Sequence, residues 1–498
     1  MELEFHKSMC NCLNPVVGDI RNQEQTQEVK LSEGMPDVGR ILASWGQCLL
    51  RSKEWRSGSM GVSGGVMTWT LYMPEDSSQP VCVEAWVPFH MKWDLPHTQR
   101  DGVIRAGCAV GRVDARTLSA RRILVRTEVS VWTEALEPTE REIMMPADMP
   151  EDIQLLRQIY PLLIPREAGE KSYILEDELQ VPTSGGVLEK IISYQMRTEI
   201  LDKKVIGQRI AFRGNGLLHL VYQGEDEKIH CYDQEIPFSQ LVELEQDYDS
   251  ECELDILPAV TSLEVDLMNE KLHVKCGMTA QYLVRVRELV ELICDAYSPR
   301  RTVNTVLKEL NLPVVLDQRL ENRQIELEMP SEPTEIADTV MFLDYPHMLR
   351  GSEMTELELN GHIQVLYYDQ EDHLQLAEKP FDEKIEIPIS AEAELQASVS
   401  EADLPQVIFS GNGIHANNMI TLQLTTVSDC GIPMVVGLEA GDEEEPDPNR
   451  PSLILRKTGD EPLWEVAKQC GSTVDAIRTA NKLLSEPENG QVLLIPIP

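Results

Sequence analysis

The stretch Gly214-Asn-Gly-Leu-Leu-His-Leu-Val-Tyr222, continued after a polar turn by Ile236-Pro-Phe238, decides the fold of this chain. Apolar and polar residues alternate along it, which is the period of a half-buried strand. The glycine at the start of the stretch, Gly214, suits a bulge or turn that a side chain would obstruct. Proline cannot donate a hydrogen bond to a sheet, so Pro237 belongs at a strand start or a sheet edge. The stretch therefore predicts two paired strands at the edge of a sheet.

The same pattern occurs three times along the chain. The two further copies are Gly64 to Tyr72 with Val87-Pro-Phe89, and a weaker one from Gly361 to Tyr368 with Lys379-Pro-Phe381. Each copy closes with an alternating strand, at 123–131, 272–276 and 419–424. Because each copy offers several half-buried strands, we expect a mainly β multidomain protein with tandem modules, each a β-sandwich or partly open barrel.

The charge of the chain is strongly negative and unevenly distributed. The 498 residues include 84 acidic side chains against 44 Lys plus Arg, for a net charge of −40. Residues 151–450 hold 58 of the acidic and 23 of the basic groups. A polyanion gains no counterion release from nucleic acid and is repelled by anionic lipid, so neither is expected as a partner unless the fold creates a local basic patch. The acidic middle either solubilises the protein or steers a basic partner towards it.

The sequence predicts a protein that stays in the cytoplasm. The N-terminus has no basic segment followed by an apolar stretch, as a signal peptide would. No run of 18 apolar residues occurs, so no membrane insertion is expected. The eleven cysteines are an odd number without a regular framework, which favours free thiols in a reducing compartment.

Prolines and charge runs predict the domain boundaries. The expected divisions are module 1 at 25–136, a linker at 137–172, module 2 at 173–300, module 3 at 301–436, an acidic linker at 437–451 and a C-terminal module at 452–498. Five prolines interrupt the first linker, within which Asp152 to Tyr160 fit one short helix. Residues 281–310, and Thr302 to Leu310 above all, also fit a helical period.

The C-terminal module is expected to fold as strand, helix, helix, strand (βααβ). Apolar runs at 453–455 and 491–495 indicate the strands. Asp460 is placed to cap the first helix, and Gly471 to end it as a left-handed residue. Ser472, with Asp475 three residues on, is placed to begin the second helix.

The residues of this module resemble those of a LysM domain. The family pattern is met by Gly459, Asp460, Leu463, Trp464, Val466, Ala467, Ile477, Asn481, Gly490, Gln491, Leu493, Ile495 and Pro496. The sequence departs from the pattern at Glu461-Pro462, where the family usually has Thr or Ser before Leu-Trp. In LysM domains that bind N-acetylglucosamine chains, the loops after the first strand and before the second hold the glycan.

The upstream repeats resemble SPOCS domains, which occur with a C-terminal LysM domain in spore-coat morphogenesis proteins of the SipL type. The glycine-to-tyrosine strands, the Pro-Phe steps and Asp295-Ala-Tyr-Ser-Pro299 carry this resemblance. It implies a scaffold in the mother-cell cytoplasm, at the forespore surface. Its LysM domain would dock onto the coat morphogenetic ATPase SpoIVA, and its SPOCS modules would contact other coat proteins or self-associate.

The predicted binding residues lie in the loops and exposed positions of the C-terminal module. They are Lys457, Gly459, Asp460, Glu461, Arg478, Asn481, Lys482, Leu483 and Leu484. The two adjacent leucines either contact a partner or turn inward to cap the core. The alternative function is binding of peptidoglycan, an N-acetylglucosamine polymer, or of its lipid-linked precursor. No nucleotide loop, metal motif or nucleophile elbow occurs, so neither an enzyme nor a cofactor is expected.

Overall fold

The protein is built almost entirely from antiparallel strands, with two short helices near its C-terminus. The computed structural model describes residues 2–3, 5–77, 79–96, 100–146, 149–180, 187–310, 314–351, 354–389, 393–402, 405–410, 413–428, 431–443 and 451–497. No helix in these ranges is long and apolar enough to cross a membrane. Residues 444–450 of the predicted acidic linker lie outside the described residues, whereas residues 437–440 continue the last strand of module 3.

Two three-stranded sheets form module 1. The chain begins with β1 (Glu2–Leu3), β2 (Phe5–Lys30), β3 (Val38–Arg56), β4 (Ser59–Pro74), β5 (Val81–Asp94), β6 (Val103–Ser119) and β7 (Arg122–Pro146). The sheets have the strand orders β3-β4-β5 and β2-β7-β6. Buried apolar side chains from both sheets belong to one core cluster, as in a β-sandwich.

Module 2 repeats this arrangement. Its strands are β8 (Gln154–Gln180), β9 (Leu188–Gly224), β10 (Ile229–Tyr248), β11 (Glu253–Met268) and β12 (Lys271–Tyr297). The last strand, β12, lies between the first and the penultimate strand, as β7 does in module 1. The other sheet pairs β9 with β10, and the two sheets again enclose a shared apolar core.

The third module has the same plan, divided into more strands. They are β13 (Val303–Leu310), β14 (Val314–Met329), β15 (Glu335–Leu343), β16 (His347–Arg350), β17 (Met354–Tyr368), β18 (Leu374–Pro388), β19 (Ala393–Ala402), β20 (Gln406–Ser410), β21 (Gly413–Ser428) and β22 (Ile432–Ala440). In one sheet β21 lies between β14 and β19, and in the other β17 lies between β18 and β15.

The sequence pattern shared by the three modules corresponds to one repeated contact. Gly64 lies opposite Phe89, Gly214 opposite Phe238 and Gly361 opposite Phe381. A Cβ atom at each of these glycines would lie 2.5–2.8 Å from the ring and 2.0–2.4 Å from a backbone carbonyl oxygen. The glycines therefore let the phenylalanine ring and the neighbouring backbone approach closely. The Pro-Phe step lies on β5, β10 and β18, each an edge strand, as its prolines predicted.

The predicted linker over 137–172 and the helix over Asp152–Tyr160 are wrong, because nearly all of these residues form strands. Residues 137–146 continue β7, and β8 begins at Gln154. Module 1 likewise starts well before residue 25, with β2. Beyond Leu136 the strand β7 pairs with β2 alone, and β8 pairs with β12 alone. Prolines are tolerated there because an edge strand has one side without hydrogen bonds.

The predicted helix over Thr302–Leu310 is also wrong, since Val303–Leu310 form β13. This strand pairs with β22, more than 120 residues away, and a bulge follows Val306. Three of its residues, Val303, Thr305 and Val306, are β-branched, which favours a strand. A local periodicity cannot reveal so distant a partner strand.

The strand segments outside the three sandwiches share an additional core. Apolar side chains from β2, β7, β8, β12, β13 and β22 form one cluster, which contains Cys10, Met144, Leu162, Leu292, Leu310 and Met434. Each of the three modules contributes two of these strands. The cluster therefore joins the modules. Tyr297, the last residue of β12, packs instead in the core of the C-terminal module.

Candidate functional site

The C-terminal module is a small unit of two strands and two helices. Its elements are β23 (Leu453–Lys457), α1 (Leu463–Cys470), α2 (Val474–Asn481) and β24 (Val492–Pro496), with β23 antiparallel to β24. Leu463, Val466, Ala467 and Ile477 turn inward from the helices and pack against Leu493 and Ile495. The helices therefore cover one face of the two-stranded sheet.

The helix ends differ in part from the sequence prediction. Gly471 ends α1 in the left-handed conformation, as expected, with a φ of 62°. Asp460 does not cap α1, because the backbone N–H of Leu463 instead donates to the Glu486 carboxylate at 2.9 Å. Thr473 rather than Ser472 caps α2, and its hydroxyl accepts from the backbone N–H of Ala476.

Helix α1 attaches the module to the end of β12. The indole N–H of Trp464 and the ammonium group of Lys468 both donate to Asp295 Oδ2, at 2.8 and 2.6 Å. The Trp464 ring meets the Tyr297 ring edge-on at 4.8 Å, and the Tyr297 hydroxyl donates to the carbonyl of Ser472 at 2.9 Å. Burial raises the pKa of Tyr297, which keeps this hydroxyl protonated. Trp464 is therefore a packing residue, and its indole N–H is not offered to a sugar.

The predicted loop after β23 makes contacts within the module. The Asp460 carboxylate accepts from the Asn489 side chain in the loop before β24, which ties the two loops together. Glu461 accepts from Arg456 at 2.8 Å. Gly459 is exposed, and a Cβ atom there would meet nothing within 4 Å.

The predicted residues of α2 divide into one structural and two exposed positions. Asn481 donates to the carbonyls of Ile477 and Leu494 and accepts from the backbone N–H of Leu494, so it fastens α2 to β24. Arg478 is half-exposed and pairs with Glu486 at 3.2 Å. Lys482 is exposed in the left-handed conformation that ends α2. At the end of β23, Lys457 is exposed as well.

The adjacent leucines have opposite environments. Leu483 is half-buried and packs against the module core, whereas Leu484 is fully exposed. One therefore caps the core, and the other is available for contact with a partner.

An exposed apolar surface on the sheet was missed by the sequence analysis. Leu453, Leu455, Val492 and Leu494 lie on the face of β23 and β24 opposite the helices, and all four are exposed. Leu455 lies directly opposite Leu494, and Lys457 opposite Val492. We call these four residues the apolar ribbon face. The runs 453–455 and 492–495 are apolar at every position instead of alternating, and that absence of alternation was the available signal.

Charged groups at this site do not form a metal centre. Among the described residues, no group of three or more His, Cys, Asp or Glu side chains could hold a metal ion. Three acidic groups of the module are instead paired with basic or amide side chains, namely Glu461 with Arg456, Glu486 with Arg478 and Asp460 with Asn489. On the surface of the module, the apolar ribbon face adjoins the exposed Lys457 of β23.

Comparison with known proteins gives one match. Searches of curated proteins and of solved structures found nothing similar to this chain. Residues 188–268 match the family model described as SipL, SPOCS domain. These residues correspond to β9, β10 and β11 of module 2. The match supports a relation between this chain and the SipL-type proteins, and it indicates a role in sporulation and the spore coat.

Proposed function

We propose that this protein is a non-enzymatic scaffold of endospore coat assembly, and that its C-terminal module docks onto the coat morphogenetic ATPase SpoIVA. The proposal places it in the mother-cell cytoplasm, at the forespore surface. The SPOCS match supports the link to the coat. The LysM resemblance of residues 452–498 supports a recognition role for this module.

The apolar ribbon face is the observation that carries the docking proposal. A two-stranded sheet whose outer face bears three leucines and a valine leaves apolar surface in water, which is unfavourable unless a partner covers it. Glycan binding is less well supported, because Asp460 in the loop after β23 and Asn489 in the loop before β24 are engaged with each other.

The test compares two leucines of nearly equal exposure in the full-length protein. Leu455, on the ribbon face, is 69% exposed, and Leu320, on β14 of module 3, is 68% exposed. We expect Leu455→Asn to weaken capture of purified SpoIVA about tenfold, since a buried leucine at an interface is worth roughly 1–2 kcal/mol. Leu320→Asn should bind like the unchanged protein.

Peptidoglycan sacculi provide the second arm of the same experiment. The proposal would be overturned by sacculus binding that N-acetylglucosamine oligomers compete away, combined with no capture of SpoIVA. Equal loss of capture in both leucine variants would also contradict it, because the ribbon face would then have no particular role.

A further inference from the structure

A cleft of about 670 Å³ lies between module 1 and module 3. Strands β6 and β7 form one wall, and β17 and β18 form the other. Its charged lining consists of four carboxylates and one guanidinium, those of Glu128, Asp344, Glu378, Asp382 and Arg112. The cleft is therefore an acidic recess at the junction of two modules.

The two walls are brought together by a glycine bulge. Gly111 is the extra residue of a β-bulge in β6, and a Cβ atom there would lie 2.1 Å from Asp344 Oδ1. Asp344 in turn accepts from the Ser130 hydroxyl of β7 at 3.3 Å. Burial raises the pKa of Asp344, and the Ser130 bond opposes that shift.

A buried histidine in the cleft wall has an unused acceptor. His362 is 5% exposed and stacks on Phe342 with ring centroids 4.6 Å apart. Its ring forms a hydrogen bond with the backbone of Gly111, whereas Nε2 has no hydrogen-bond partner among the described residues. Burial, with the nearby charge of Arg112, lowers the pKa of His362 to about 4, so the ring is neutral. Because the carbonyl of Gly111 can only accept, Nδ1 carries the proton and Nε2 is an acceptor.

The chemistry of the recess selects a ligand that only donates hydrogen bonds. Nε2 of His362 lies 3.9 Å from Glu378 Oε1, so two acceptors face each other beyond hydrogen-bond distance. Arg112 lies 3.3 Å from the same oxygen, and Glu378 Oε2 accepts a long hydrogen bond of 3.5 Å from the side-chain amide of Gln364, so a ligand would compete with two weakly held partners. Arginine and lysine side chains carry donors and no acceptors. The planar guanidinium also pairs with carboxylates in two-bond geometry.

We propose that this cleft binds an arginine side chain of a basic protein partner. The excess of acidic groups over residues 151–450 would draw such a partner towards the recess. The Glu378 side chain is about one quarter exposed, so it can turn with its ligand and open the approach to His362.

The experiment follows the ring signal of His362 in the full-length protein labelled with ¹³C-histidine. That signal is assigned by its absence in His362→Gln. The probe is N-acetyl-arginine-methylamide, and the matched neutral compound is its citrulline analogue. We expect a saturable shift with the arginine compound in the millimolar range, which corresponds to about −4 kcal/mol, and none with the citrulline compound.

Two carboxylate variants test the location of the site. Glu378→Gln should weaken binding of the arginine compound about tenfold, and Asp382→Asn about threefold. Glu386→Gln removes the same charge from an exposed position farther along β18 and should leave binding unchanged. Thermal unfolding of each variant shows whether it is folded.

Three outcomes would overturn the proposal. They are no saturable shift with the arginine compound, an equal shift with the citrulline compound, and equal weakening by Glu386→Gln and Glu378→Gln. Tighter saturable binding of spermidine than of the arginine compound would assign the recess to a free polyamine, which also contradicts a protein partner.

Discussion

Strands β10 and β24 are both apolar on their inner face, but their outer faces differ. In β10 the buried Val242 and Leu244 alternate with the exposed Glu243 and Glu245. In β24 the buried Leu493 and Ile495 alternate with residues that are exposed and also apolar. The sheet of module 2 can therefore face water unaided, whereas the C-terminal sheet presents a surface that a partner would cover.

This difference predicts two classes of residue. Substitutions inside the three modules should change stability and leave capture of a partner by the C-terminal module intact. Substitutions on the apolar ribbon face should weaken capture of the partner and leave stability unchanged. The following variants test that division, beginning with the largest expected effect on stability.

The largest effect is expected at the buried contact between modules 2 and 3. Nδ1 of His219, on β9, lies 2.7 Å from Asp233 Oδ1, and Nε2 lies 2.8 Å from Oδ1 of Asp338 on β15. Asp338 is almost fully buried. His219→Gln should lower the free energy of unfolding by about 3–5 kcal/mol near pH 6, since it leaves a buried charge unpaired. Urea unfolding followed by far-ultraviolet circular dichroism, which reports on the strands of all modules, measures this loss.

The loss should also depend on pH. Burial alone would lower the pKa of His219, but the charge of Asp338 and the hydrogen bonds to both carboxylates outweigh it and raise the pKa to about 10. The protonated histidine therefore stabilises the fold fully below pH 6.5, and this contribution disappears as the pH rises towards 10. A penalty for His219→Gln that stays constant from pH 6 to pH 10 would contradict this. His415→Gln, at an exposed position on β21, is the control.

A somewhat smaller effect is expected at the glycines that face phenylalanine. Gly214→Val should cost about 3 kcal/mol, because its Cβ atom would lie 2.0 Å from the carbonyl oxygen of Glu199 and 2.8 Å from the Phe238 ring. Thermal and urea unfolding measure the cost. Gly18→Val on β2, where a Cβ atom meets nothing within 4 Å, should change stability by less than about 0.5 kcal/mol. Equal losses of stability at Gly214 and Gly18 would contradict the explanation that the repeated glycine is needed for the close approach of the phenylalanine ring.

The smallest effect is expected where the two regions meet. Asp295→Asn removes the ion pair with Lys468, which is partly exposed, and weakens the contact with Trp464. We expect less than about 1 kcal/mol in global unfolding but faster amide exchange along α1. Mass spectrometry after deuterium exchange resolves that segment. Unchanged exchange in α1 would show that the packing of Tyr297 holds the module without Asp295. Asp460→Asn, whose partner Asn489 lies within the module, is the control.

The candidate site could be predicted only in part. The loop and helix positions were found from the LysM pattern, but their roles were not, because side-chain pairing in a small module depends on three-dimensional neighbours. Asn481 illustrates this, since both ends of its amide bind backbone groups of α2 and β24. The ribbon face could have been found from the unbroken apolar runs at 453–455 and 492–495, which were used only to predict the two strands.

Local sequence alone determined the strand-rich class, the three Gly-to-Phe units and the order of elements at the C-terminus, because alternation, glycine and proline act over a few residues. Tertiary structure decided that 137–146, 154–172 and 303–310 are strands, since each depends on a partner strand far away in the sequence. Tertiary structure also decided which charged side chains contact each other. The His219 contact and the acidic cleft both join residues of different modules, and no local pattern specifies such a meeting.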